Sequence, residues 1–171
     1  MRQRGITLIE IVIAMAVAGM LMMAGLPALS GMLANIRVRG AAEEVAGGLQ
    51  LARAEAMKRN QNVTFRVDAT DGAGWSVIQD SDQSVINSKP ASTGGTVQLA
   101  GDLDTSARFS NLGLRTLPVG GDLTFSITNP GAGECQPAGS IRCLNVIVRV
   151  GGQTRLCDPV RPAGDPQSCV F

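Results

Sequence analysis

The chain has no histidine and no tyrosine, and its aromatic residues are only Phe65, Trp75, Phe109, Phe125 and Phe171. Without imidazole, Ser-His-Asp and Cys-His catalysis are excluded, and so are most zinc sites. So few rings supply neither base-stacking platforms nor aromatic cofactor boxes. Lysine is nearly absent as well: Lys58 and Lys89 are the two, and neither sits in a motif. No charge of one sign dominates, since 15 Lys+Arg against 14 Asp+Glu leave +1 over 171 residues. There is thus no global basic field to recruit nucleic acid. These gaps argue against an enzyme, and neither a cofactor nor a metal site is expected.

The cysteines, Cys135, Cys143, Cys157 and Cys169, lack the short clustered spacing of a thiolate metal site. Four is an even count, suited to two disulfides in an oxidising compartment. Three pairings are open. We expect sequence-adjacent pairing, Cys135–Cys143 and Cys157–Cys169, because each closes a short loop around a Gly/Pro-rich segment.

What the chain does have is a long apolar run. From Ile11 to Ile36 there are 26 consecutive residues without a formal charge, rich in Ile, Val, Leu, Ala and Met. A helix needs roughly 20 such residues to cross a ~30 Å hydrocarbon layer, so a transmembrane segment over about 11–36 is expected. A buried core helix would show a polar face, and none is present before Ser30. Arg2 and Arg4 precede the run and Arg37 and Arg39 follow it, so charge bias alone orients it weakly. Ala28-Leu29-Ser30 could serve a signal peptidase, but the run is too long and Glu10 stands at its start. A carboxylate near lipid sits at headgroup level or finds a partner, which makes Glu10 a functional candidate.

The residues Arg4-Gly5-Ile6-Thr7-Leu8-Ile9-Glu10 closely resemble the leader and cleavage site of type IV pilins and type II secretion pseudopilins. The resemblance implies cutting by prepilin peptidase after Gly5 and N-methylation of Ile6, where many relatives carry Phe. Glu10 is then the fifth residue of the processed chain. In the family that Glu pairs with the N-terminal amine of a neighbouring subunit. Ammonium and carboxylate stranded in hydrocarbon neutralise one another only when subunits stagger correctly. Loss of residues 1–5 removes two arginines and shifts the net charge from +1 to −1. Gly19 and Pro27 are helix breakers inside the run, a place to bend or melt, as in pilins that lose helical order here in filaments.

Beyond Ser30 the pattern turns amphipathic, with Val38, Ala41, Val45, Leu49, Ala52 and Ala56 on one stripe. Glu55 and Arg59 stand at a supportive i,i+4 spacing. Gly47-Gly48 costs ~1 kcal/mol per Gly relative to Ala unless a close helix–sheet approach offsets it. The stretch from Leu49 to Asn60 looks like the end of the N-terminal helix in H-type pseudopilins and the FimT/FimU minor pilins. A β-rich head is expected after it, with strands at 62–67 and 75–79 forming a hairpin around Asp71-Gly72-Ala73-Gly74. Residues 80–95 read as a loop. Further short strands are expected near 96–99, 107–109 and 123–128.

In Ile141–Val150 the even positions Leu144, Val146, Val148 and Val150 read as a buried face. A two-residue turn at Gly151-Gly152 would set Arg155 opposite Val148. A three-residue turn over 151–153 instead pairs Leu156 with Val148 and Arg155 with Arg149, and we favour it because it buries the leucine. It places two guanidinium groups side by side, which needs an anion between them. Asp158 is the nearest protein candidate. A phosphate backbone is the other, because some FimT-like minor pilins bind DNA through a C-terminal Gly-Arg-x-Arg motif. Here Gly152-Gln153-Thr154-Arg155 keeps the second Arg and replaces the first by Gln153. Losing one phosphate contact lowers such affinity.

The expected fold is α+β and pilin-like: a long N-terminal helix, membrane-spanning in its first half, packed on an antiparallel β-sheet head. Residues 1–5 are the leader, 6–60 the helix and 61–171 a periplasmic head, anchored by a single pass in the inner membrane. The expected role is a structural subunit of a type IV pilus or type II secretion pseudopilus. Its partners would be other pilin subunits, prepilin peptidase, the inner-membrane assembly platform and membrane lipid. DNA, through Arg149 and Arg155 in natural transformation, is the alternative.

Overall fold

The computed structural model describes residues 7–93, 96–102 and 105–170, without the side chains of 24–28. It opens with one helix, α1 (Leu8–Arg59). The helix ends at Asn60, which adopts the left-handed conformation (φ 53°) and turns its N–H back onto the Ala56 and Met57 carbonyls. Asn tolerates that region because its short polar side chain makes local hydrogen bonds. Lys58 and Arg59 occupy the last turn, where cations complement the helix dipole.

The head follows as β1 (Val63–Ala69), β2 (Gly74–Gln79), β3 (Val85–Lys89), β4 (Gln98–Gly101), β5 (Ser106–Phe109), β6 (Arg115–Leu117), β7 (Leu123–Thr128), β8 (Leu144–Val148) and β9 (Thr154–Cys157). Among the described residues they form two antiparallel sheets, ordered β3-β2-β1-β5-β6 and β4-β7-β8-β9. The second half of α1 packs against both. Strands β1 and β7 alternate buried and less buried positions, the period-two signature of a sheet with one face on the core.

The stripe expected on the helix is the one that is buried. Val38, Val45, Leu49, Ala52 and Ala56 are fully covered, and Ala41 nearly so. Gly48 lets the sheet come close: a Cβ there would stand 2.9 Å from Phe65 Cε2 and 3.1 Å from the Trp75 ring. The two rings pack with centroids 5.5 Å apart, and Phe65 meets Phe125 edge-on at 5.6 Å, so aromatic contacts tie helix, first sheet and second sheet together.

Four expectations are corrected. Residues 80–95 are not all loop: β3 lies within them and pairs with β2, although its own burial is slight and its sequence polar. Strand β6 was also not expected. Its three residues are too short for any periodicity to register. The β8–β9 register is neither of the two considered. Val148 pairs with Thr154, Ile147 with Arg155 and Val146 with Leu156. Arg149 then faces Gln153, whose carbonyl accepts the Arg149 N–H at 2.9 Å. The turn therefore runs over 150–152, one residue earlier than expected. This keeps Leu156 on the side of Val146 while avoiding an Arg149–Arg155 pair. Finally, Val150 is exposed, because it is in the turn and no longer on the strand face.

Candidate functional site

The uncovered surface of α1 begins at its first described turn. Leu8, Ile9, Ile11, Val12, Ile13, Met15, and onward to Met23, are exposed, and Ala34 is the first buried residue among those of the helix whose side chains are described. Apolar side chains surround this part of the helix on every side. Such a surface marks a segment that lies against lipid or against other protein. Among the described residues no helix is long and apolar enough to cross a membrane. The expected 11–36 span includes 24–28, whose side chains are outside the described set.

Glu10 sits exposed in the first turn, its N–H on the Thr7 carbonyl at 3.1 Å. An acid there is favoured by the positive end of the helix dipole. Gly5 and Ile6, the expected cleavage and methylation positions, lie outside the described residues. The helix runs unbroken through Gly19 and Pro27. At Gly19 a Cβ would meet nothing within 4 Å, so in the single chain this glycine makes no close contact that requires it.

Where the bare part of the helix enters the head, polar contacts collar it. Asn35 Oδ1 accepts the Arg142 backbone N–H at 2.8 Å. Arg142 Nε in turn donates to Asp158 Oδ2 at 2.7 Å and its Nη2 to Gln167 at 2.9 Å. Asp158 is buried and also faces Arg161 at 3.7 Å. Two disulfides fix the segments that carry these groups: Cys135–Cys143 (Cα–Cα 5.4 Å) and Cys157–Cys169 (5.1 Å). Sequence reading named Asp158 but paired it with the wrong arginines. Nothing in the local pattern around Arg142 signals its contact with a helix 107 residues earlier.

The β8–β9 hairpin separates the two arginines read as an anion clamp. Arg149 faces Asp122 at 3.8 Å, and Arg155 Nη2 donates to the Pro166 carbonyl at 2.5 Å. Diagonal rather than directly opposed, each has a protein partner, so neither calls for a phosphate. The hairpin is instead held from below. Gly152, at φ +76°, leaves room for the Gly113 carbonyl, which also accepts from Arg53 Nε at 3.0 Å. A Cβ at Gly152 would fall on that carbonyl oxygen.

Two further groups are structural. Arg115 is almost wholly buried and donates to the carbonyls of Pro118, Gly120 and Gly121, which clamps the 117–121 segment. Burial lowers its pKa, and the more distant Asp122 and Asp102 oppose that shift. Glu55 receives Arg59 Nε at 2.6 Å and Lys58 Nζ at 3.2 Å, and these hydrogen bonds hold its carboxyl below the usual value. Among the described residues no cluster of metal-ligating side chains occurs.

Residues 1–26 match the prokaryotic N-terminal methylation motif, and residues 41–152 match the family of type II transport protein GspH. No curated protein matches the chain. Among solved structures, the type IV minor pilin FimU of Pseudomonas aeruginosa is similar in two crystal forms. They show 22% and 21% identity and TM-scores of 0.54 and 0.56; they cover 77% and 78% of this chain and 98% and 95% of FimU. The minor pseudopilin EpsH of the Vibrio cholerae type 2 secretion system is 20% identical with a TM-score of 0.53, covering 72% of this chain and 98% of EpsH. At that identity the likeness shows the fold, and the fold is the expected α+β arrangement of a helix on antiparallel sheets. The GspH match spans more than half of the chain, and the methylation motif precedes it: this protein belongs to the family of type II transport protein GspH.

Proposed function

We propose that the chain is a structural subunit of a type IV pilus or type II secretion pseudopilus, held by its N-terminal helix in the inner membrane with the head in the periplasm. The observation that carries this is the exposed apolar helix surface over Leu8–Met23, joined to a head with its own hydrophobic core. The described side chains of Leu8–Met23 are exposed, so lipid first and then neighbouring subunits would cover them. Prepilin peptidase would cut after Gly5, and Ile6 would be methylated. The new amine would then meet Glu10 of an adjacent subunit and set the axial stagger. Transfer from lipid to a helix bundle gains little hydrophobic energy, so an assembly platform has to drive extraction. Gly19 and Pro27 would let the helix loosen in the filament.

Glu10→Leu tests the reading. The variant should enter the membrane normally and fail to appear in sheared filaments. Incorporation at the normal level would overturn the role of Glu10. A Gly5 substitution should leave a slightly heavier, unprocessed precursor, read by intact mass.

A further inference from the structure

A pocket of about 450 Å³ opens where α1 ends, lined by Asn60, Gln61, Asn62, Asp80, Ser81 and Asn111. Its walls are the segment that caps α1, the turn after β2 and the turn after β5. Four of these six side chains are amides and none is apolar. Space of small-ligand size without an apolar lining suits a hydrophilic occupant.

Backbone bonds hold the lining in place. The Gln61 N–H reaches the Ala56 carbonyl at 3.1 Å, and the Asp80 N–H reaches the Asn62 carbonyl at 3.1 Å. A directional chain then orients the side chains. Arg59 Nη1 donates to Gln79 Oε1 at 2.8 Å, and Gln79 Nε2 donates to Ser81 Oγ at 2.9 Å. Ser81 Oγ donates in turn to Gln61 Oε1 at 2.8 Å, and Asn111 Nδ2 to Asn60 Oδ1 at 2.9 Å. Within the described residues this leaves Gln61 Nε2 and Asn60 Nδ2 as unused donors, Asn111 Oδ1 as an unused acceptor, and the Asn62 amide with both.

We infer that this pocket binds a sugar unit of a neutral glycan through neighbouring hydroxyls. Each hydroxyl both donates and accepts, which matches amide nitrogens set beside amide oxygens. An anion would need an uncommitted cation, and an ammonium group an uncommitted carboxylate. The pocket offers neither. Asp80 Oδ1 accepts from Thr64 Oγ1 and its Oδ2 faces Arg108 Nε, each at 2.6 Å. Lys58 and Arg59 share Glu55 at the end of the helix. Asp82 accepts from the Ser84 N–H and Oγ at 3.1 and 2.8 Å. No aromatic ring is among the lining residues to stack on a sugar face, so binding is weak and rests on hydrogen bonds that compete with water. The pocket stands at the opposite end of α1 from Leu8, so its occupancy is independent of what covers the exposed helix surface.

The test uses the isotope-labelled full chain in micelles of a sugar-free detergent. Methyl glycosides of glucose, galactose, mannose and N-acetylglucosamine are titrated in turn, with glucuronate and cyclohexanol as charged and apolar references. At least one glycoside should shift the side-chain amide signals of Asn60, Gln61, Asn62 and Asn111 saturably, and the two references should shift them little. Gln61→Leu and Asn62→Ala, both at exposed positions, should each weaken that binding about fivefold or more, the worth of one net hydrogen bond. Gln136→Leu, in the loop closed by Cys135–Cys143, should leave it unchanged. No saturable shift with any glycoside, an equal response to glucuronate or cyclohexanol, or unchanged affinity in either pocket variant would overturn the assignment.

Discussion

Asn35 and Arg142 stand 107 residues apart in sequence and meet through one hydrogen bond of 2.8 Å, side-chain carbonyl to backbone N–H. Asn35 lies one residue beyond Ala34, the first buried residue among the described side chains of the helix. The bond lies where the helix passes from its exposed first part onto the head.

Asn35→Ala should therefore loosen the joint. A partly buried N–H left without its acceptor costs about 1–3 kcal/mol. Urea unfolding of the full chain in detergent, followed by Trp75 fluorescence, should show a lower midpoint with an unchanged slope. A midpoint equal to that of the parent chain would mean that water replaces Asn35 at no cost.

The adjacent glycines of α1 should respond in opposite directions. Gly47 is exposed, and a Cβ there meets nothing within 4 Å, so Gly47→Ala should stabilise by up to about 1 kcal/mol. Gly48 faces the Phe65 and Trp75 rings, which are core side chains with little room to move. Gly48→Val should destabilise by about 1–3 kcal/mol through overpacking. The same unfolding assay reads both. A gain in stability from Gly48→Val would show that the rings can retreat.

Glu55 sets a pH dependence. Its carboxyl is held below its ordinary value of 4.5, first by the Arg59 hydrogen bond and then by that of Lys58. A lowered folded pKa contributes stability that is present above the unfolded value and is lost as pH falls through the folded one. The wild-type chain should be more stable than Glu55→Gln at neutral pH. The difference should shrink below about pH 4.5 and vanish once the folded carboxyl is protonated. Unfolding midpoints of both proteins across that range check it; a difference that stays constant would assign the effect to packing.

The tail from Asp158 onward has little regular structure and is held by the Cys157–Cys169 bond, whose partners are 12 residues apart. Replacing both cysteines by Ala should cost about 3 kcal/mol by loop-closure entropy. It should also expose the buried Asp158 and its arginine partners to solvent. Hydrogen exchange at Asp158 and Ser168, whose N–H groups bond to the Gln167 and Asp165 carbonyls, should accelerate more than exchange in β1. Uniform acceleration throughout the head would show that the bond supports the whole fold.

Sequence alone determined the rod, the amphipathic continuation and the first hairpin. Each rests on local signals: an uncharged run, a stripe at three- and four-residue steps, and turn residues between two alternating segments. The pairing of neighbouring cysteines was legible for the same reason, since short loops close readily. Tertiary structure decided the rest. Strand β3 is polar and poorly buried, so only its pairing with β2 makes it a strand. The β8–β9 turn lies one residue earlier, with Gly152 in it at a positive φ and packed closely on the Gly113 carbonyl, a neighbour that comes from another loop. That shift dissolved the paired arginines on which the DNA reading leaned. Helix, turn and hairpin chemistry is written in residues a few places apart. The collar of Asn35, Arg142 and Asp158 brings together groups distant in the chain, and no local pattern records which of many arginines a buried carboxylate will meet.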